Sequence, residues 1–256
     1  MNLPIEAIQN KLAQIEVEEN VTIFYACESG SRAWGFPSAD SDYDIRFLFV
    51  HPTEWYLSVD EKRDVIERPL TPENFDIGGW DIRKALRLFR KSNPPLLEWL
   101  DSPIIYKEQT DVAQRMRTLA QTWYSPLACI HHYLHMAEGN FREYLKGERV
   151  RTKKYFYVLR PLLAIQWLEK GYGVAPTSFG TLVERMVTDP ALLGAIQTLI
   201  EQKRQGVDLD DGPRIPVISA FIDSELARLE QGISAPPNHP PTTELDALFR
   251  YALEAM

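Results

Sequence analysis

Residues 25–49 read YACESGSRAWGFPSADSDYDIRFLF. An apolar run, Val21–Cys27, leads into a turn at Gly30-Ser31, and a short polar segment with Gly35 and Pro37 follows. Then comes Asp42-Tyr43-Asp44-Ile45-Arg46-Phe47-Leu48-Phe49. Two acids separated by one residue stand directly before a branched and aromatic run. If that run is a strand, side chains alternate faces, and Asp42 and Asp44 point the same way. Their Cα atoms would then lie roughly 6–7 Å apart. That spacing suits two carboxylates converging on divalent cations about 3.5–4 Å from each other, the arrangement used for in-line phosphoryl transfer.

Outward from this stretch, Pro4–Val17 carries Ile5, Ile8, Leu12 and Ile15 at helical spacing, with Pro4 suited to a first turn. Val21–Cys27 reads as a buried strand, Ser31–Phe36 as a helical turn and Asp44–Val50 as a second strand. Asp64–Arg68 reads as a third strand, and Phe75–Trp80 as a strand end followed by a turn at Gly78-Gly79. Ile82, Ala85, Leu86 and Phe89 share one face of a helix that Asn93-Pro94-Pro95 stops. Ile104–Tyr106 is a last short strand. From about Asp111 the pattern is helical: 112–122, 126–146, 153–170, 179–186, 189–205, 218–230 and 242–256. Residues 206–216 read as an acidic loop, and Ala235–Pro241 (APPNHPP) as an extended linker. The reading is α+β: a small α/β domain with a mixed sheet and flanking helices over 1–108, followed by an all-helical domain over 109–256.

The Gly-Ser turn, the ten-residue gap and Asp-x-Asp resemble the nucleotidyltransferases of the DNA polymerase beta superfamily. Gly30-Ser31-Arg32-Ala33-Trp34-Gly35 with Ser41-Asp42-Tyr43-Asp44-Ile45-Arg46 is similar to the minimal nucleotidyltransferase branch, and within it to the group associated with RNA repair. Ser29 departs from the pattern, standing where the superfamily usually has an apolar residue. The resemblance implies a small catalytic domain paired with a helical substrate domain, and a third carboxylate on a neighbouring strand. Asp76 and Asp81 are the candidates for that carboxylate, with Glu67 further off. An N-cap role explains Asp81, so Asp76 is preferred as third metal ligand and general base.

Oxygen ligands suit Mg²⁺, with two ions expected on Asp42, Asp44 and Asp76. Gly30 and Ser31 are read as the triphosphate cradle, because a phosphate must approach the backbone closely there. Arg32 is added as a nucleotide contact; for Arg32 and Arg46 alike, phosphate neutralisation and plain solvation stay open. Residues 142–160 hold Arg142, Lys146, Arg149, Arg151, Lys153, Lys154 and Arg160 against only Glu143 and Glu148. Basic residues interleaved with Tyr155 and Tyr157 suit phosphate contact and base stacking. Lys153–Pro161 also resembles the family's helical-domain signature, which implies nucleotide contacts from Lys154, Tyr155 and Arg160. His131 and His135 are four apart, but without an acidic partner they are read as helical-core histidines.

The net charge of −8 argues against nonspecific coating of nucleic acid. No apolar run approaches the roughly 20 residues of a membrane span, and the N-terminal segment lacks the pattern of a secretory signal. Cys27 and Cys129 read as buried free thiols, and a cytoplasmic location is expected. The expected activity is metal-dependent transfer of a nucleoside monophosphate from an NTP, ATP foremost, with release of pyrophosphate. The acceptor is an RNA end, a protein side chain or a small hydroxylated molecule. Antitoxin-like AMP transfer to a partner protein and a non-catalytic nucleotide-binding module are the alternatives.

Overall fold

A computed structural model describes residues 4–207, 209–230 and 242–255. The chain forms two compact units: Met1–Ala33, Asp42–Tyr124 and His239–Met256 in the first, Trp34–Ser41 and Ser125–Asn238 in the second.

The first unit is built on a five-stranded sheet. Its strands are β1 (Thr22–Glu28), β2 (Tyr43–Val50), β3 (Val65–Arg68), β4 (Phe75–Asp81) and β5 (Ile105–Glu108), in the order β3-β4-β2-β1-β5. β2 and β4 run parallel, and the other pairs are antiparallel. The parallel pair needs a crossover. It contains the short helix α3 (Thr53–Tyr56) and strand β3. β4 alternates buried and part-exposed residues along its whole length. Its buried Phe75 and Ile77 join Ile45, Phe47 and Phe49 of β2 and Ile8, Leu12 and Ile15 of helix α1 (Ile5–Glu19) in one core. Asp44, Arg46, Asp76 and Gly78 occupy the alternate positions and take the other face.

One element differs from the sequence reading. Gly78-Gly79 is no turn: β4 runs through it to Asp81, because the Phe47 ring fills the space a side chain at Gly79 would occupy. Leu96–Leu100 belongs to a helix, α5 (Pro94–Leu100), whose N-cap Asn93 accepts the Leu96 N–H at 3.1 Å. The same Asn-Pro-Pro that stops α4 (Ile82–Arg90) therefore starts the next helix. α2 (Gly30–Trp34), α6 (Val112–Trp123) and α12 (Thr243–Glu254) are the remaining helices of the chain up to Tyr124 and at its C-terminal end. Packing groups α6 and α12 with the sheet-bearing unit.

The second unit contains α7 (Pro126–Tyr144), α8 (Lys154–Glu169), α9 (Phe179–Met186), α10 (Pro190–Arg204) and α11 (Pro216–Glu230). The loop expected over 206–216 contributes β7 (Gly212–Pro213), which pairs with β6 (Arg149–Val150). Phe36 stacks on Phe156 at 4.4 Å and meets Phe179 edge-on, which ties residues 34–41 into this core. The linker read at 235–241 lies outside the described residues. Among those residues, no helix is long and apolar enough to cross a membrane.

Candidate active site

β2 opens at Tyr43, whose N–H donates to Asn74 O at 2.8 Å, and this places the start of β2 beside the start of β4. The parallel register then makes Asp44 and Asp76 direct partners. One cation joins their carboxylates: Arg46 Nη2 donates to Asp44 Oδ1 at 3.2 Å and to Asp76 Oδ2 at 2.6 Å. Burial raises the Asp44 carboxyl above its usual range; Arg46 opposes this, and the charges of Asp76 and Asp42 add to it. Asp42 and Asp76 thus both act electrostatically on Asp44. Asp42 itself is exposed, just ahead of the strand.

The turn before α2 is fitted to the same acids. Ser29 N–H donates to Asp44 O at 2.8 Å. Gly30 has φ +58°, and a Cβ built there would lie 2.0 Å from Asp44 Oδ2. Only glycine lets the turn lie against that carboxylate. Arg32 is buried; its Nε donates to Asp42 O at 3.2 Å and its guanidinium lies 3.9 Å from the Tyr43 ring centre. Ser31 is half-buried on α2. The fold thus brings Gly30, Asp44 and Asp76 together and sets Arg32 on the Asp42 carbonyl, and Ser31 follows Gly30 in the chain.

The sequence matches the RlaP family, described as the RNA repair pathway DNA polymerase beta family, over residues 5–251. The chain belongs to that family. It is also 50% identical over 224 residues to the "Uncharacterized protein YcgL" of Bacillus subtilis (strain 168), covering 88% of this chain and 86% of that protein. A crystal structure of a nucleotidyltransferase-like protein from Exiguobacterium sibiricum 255-15 aligns with a TM-score of 0.34 at 11% identity, covering 86% of this chain and 75% of that one. A likeness of that size carries no argument about the chemistry. Membership in the DNA polymerase beta type agrees with the resemblance carried by the Gly-Ser turn and the Asp-x-Asp spacing.

Asp81, the other candidate third acid, is committed elsewhere. It is buried at the end of β4 and caps α4 by accepting the Arg83 N–H at 2.8 Å, and it accepts the Tyr56 hydroxyl at 2.5 Å. Glu67 pairs with exposed Arg63.

Lys154, Tyr155 and Arg160 all belong to the second unit. Lys154 is half-buried, with its ammonium 4.4 Å from the Tyr144 ring centre and 4.5 Å from that of Tyr157. Burial lowers its pKa, and neighbouring Lys153 and Arg151 add to the shift. Tyr155 is 1% exposed; its hydroxyl bonds Ser219 Oγ at 2.7 Å and accepts the Ile215 N–H at 3.0 Å. Arg160 is equally buried, with its guanidinium 5.1 Å from the Trp34 ring centre. Of the three, Lys154 alone is more than marginally exposed.

Sequence reasoning missed Glu28, the fully buried last residue of β1. Its Oε1 accepts the Asp44 N–H at 2.9 Å, and Oε2 accepts the Tyr106 hydroxyl. Burial, the largest influence, raises its pKa to about 7. Glu28 thereby fixes the backbone of Asp44 from behind. The signal was an acid at the end of an otherwise apolar strand, directly before the Ser-Gly turn.

Proposed function

We propose that this protein is a metal-dependent nucleotidyltransferase that moves a nucleoside monophosphate from an NTP to an acceptor hydroxyl, with an RNA end as acceptor. The observation that carries the reading is the fit of the Gly30 turn against the Asp44 carboxylate, with Asp76 in register beside it. A phosphate-approaching turn and an acidic cluster then share one place. The family's description, an RNA repair pathway, supports the choice of RNA.

The acids suit Mg²⁺ by donor chemistry, since all are hard carboxylate oxygens. Asp44 and Asp76 already meet on one positive charge, the Arg46 guanidinium. Among the described residues no group of three or more His, Cys, Asp or Glu is already gathered as a metal site. Asp42, Asp44 and Asp76 would hold the metal, two ions by analogy with the family. When bound, it neutralises the phosphate oxygens and the departing pyrophosphate.

The chain's own residues do the rest. The Gly30-Ser31 turn receives the triphosphate against its backbone. Buried Arg32 braces the Asp42 carbonyl. Glu28 and Ser29 hold Asp44 in place. The Asp76 side chain is 46% exposed, so an acceptor can approach it from solvent. Asp76 takes the hydroxyl proton as the oxygen attacks the α-phosphorus. The α–β bridging bond breaks, and pyrophosphate leaves with its electron pair.

The test is pyrophosphate release from each of the four NTPs with Mg²⁺, with and without a short RNA, for the wild type and Asp42→Ala/Asp44→Ala. RNA-dependent release that the double variant loses is expected. Release that survives the double substitution would remove these acids from the mechanism. Label from ATP appearing on protein in a lysate, and none on RNA, would replace RNA by a protein acceptor.

A further inference from the structure

Arg46 follows Asp44 by two residues on β2, so both point to the same face of the sheet. Its guanidinium is held by four acceptors. Besides the two carboxylates, Nη1 donates to Asp76 O at 2.8 Å and to Ile45 O at 3.1 Å. The register partner of Arg46 on β4 is Gly78, which has no side chain to occupy the ground the guanidinium crosses. Two carboxylates in register on adjacent strands, about 4.8 Å apart at the backbone, repel each other unless a cation stands between them. Here that cation is part of the chain.

We propose that Arg46 is the resident counter-cation of the acidic site: it holds Asp44 and Asp76 together when no metal is bound, and it competes with a divalent ion for the same carboxylate oxygens. Arg46 is therefore a positioning residue. A fixed guanidinium that donates from two nitrogens lowers the site's affinity for metal while keeping the start of β2 against the start of β4. The inference rests on the reading of Asp44 and Asp76 as metal ligands.

The test uses the full chain. Mn²⁺ binding is followed by the electron paramagnetic resonance of the free ion, and thermal midpoints are taken in EDTA and in Mn²⁺. Arg46→Met keeps much of the apolar stem and removes the charge. It is expected to bind Mn²⁺ at least about tenfold more tightly, because the competing charge is gone. Its midpoint in EDTA falls below that of the wild type, and Mn²⁺ raises it by more than it raises the wild type. A purely structural arginine would lower the midpoint without tightening metal binding. Arg46→Lys keeps a charge but cannot reproduce the forked bonds. It is expected to bind Mn²⁺ with intermediate affinity, and it carries the test if Arg46→Met does not fold. Unchanged or weaker Mn²⁺ affinity in Arg46→Met, or in Arg46→Lys where that variant stands in, overturns the proposal and leaves the metal reading intact. Absence of Mn²⁺ binding in the wild type and both variants overturns the two together.

Discussion

The acids at the starts of β2 and β4 are scattered in the sequence and the cations of residues 142–160 are dense in it, and folding treats them differently. The acids are gathered: Asp44 and Asp76 become register partners and share a single arginine. The cations are dispersed onto separate partners. Arg149 pairs with Asp211, Lys153 with Asp210, and Arg160 is buried beside Trp34. A linear excess of charge on helix ends and loops is readily met by acids from a neighbouring loop, here Asp210 and Asp211. Acids placed by strand pairing have no such freedom, because the register fixes where they stand. The retained charge is thus found where topology forces like charges together.

Substitutions can break this contrast at either end. The largest effect is expected at Gly30. Gly30→Ala puts a methyl group into the Asp44 carboxylate and forces alanine to φ +58°. Pyrophosphate release should fall at least about 100-fold, as displacement of a catalytic group by about 1 Å does. Stability should fall by about 1–2 kcal/mol in urea unfolding. Activity near that of the wild type would separate the turn from the acids.

In the second unit the expected effect is on folding. Tyr155→Phe leaves Ser219 Oγ and the Ile215 N–H without their buried partner. A loss of about 1–3 kcal/mol is expected, with NTP affinity unchanged in equilibrium binding. Weaker NTP binding at unchanged stability would return Tyr155 to the nucleotide.

His51 offers a smaller, pH-dependent effect. Its ring stacks on Trp55 at 3.9 Å, and burial lowers its pKa from 6.5 to about 4. Between those values the folded state binds fewer protons than the unfolded one. Stability is therefore full above pH 6.5 and declines as the pH falls from 6.5 towards 4. His51→Phe keeps a ring for the stack and should flatten this part of the stability–pH curve. An unchanged slope would assign the acid sensitivity to other groups. The smallest effect is expected at Arg149, whose pairing with Asp211 is exposed on both sides. Arg149→Ala should leave the thermal midpoint and RNA affinity within error. A marked loss of RNA affinity would restore residues 142–160 as an RNA surface.

Much of the fold was legible because it is written locally. Gly30-Ser31, the gap and Asp42-x-Asp44 lie within one short stretch, and a period of two fixes the facing of the acids. The same period did not reach Gly78-Gly79: burial alternates along β4 without a break, but apolar Trp80 takes a part-exposed position and Asp81 a buried one, so the residue types stop alternating there. The two glycines pointed to a turn because nothing local announces that the Phe47 ring lies over Gly79. The pairing of Asp44 with Asp76 was open for a related reason: thirty-one residues, with a parallel crossover among them, separate the two, and no local rule sets that register. Asp81 was separable in advance, since an acid directly before an amphipathic helix has a cap to serve. Arg46 and Glu28 were harder, because each takes its role from a partner distant in sequence.

We propose that Gly30, Asp44 and Asp76 form one catalytic site while Asp81 serves the fold. Magnesium-dependent pyrophosphate release by two isosteric variants, Asp76→Asn and Asp81→Asn, tests it most directly. Asn caps a helix nearly as well as Asp but gives up the oxygen that accepts the Tyr56 hydroxyl, so Asp81→Asn should lose stability yet fold and turn over like the wild type. Asp76→Asn should fold and lose at least about a thousandfold in rate, as expected for loss of a metal ligand and base together. Full activity in Asp76→Asn with loss in Asp81→Asn would contradict the account.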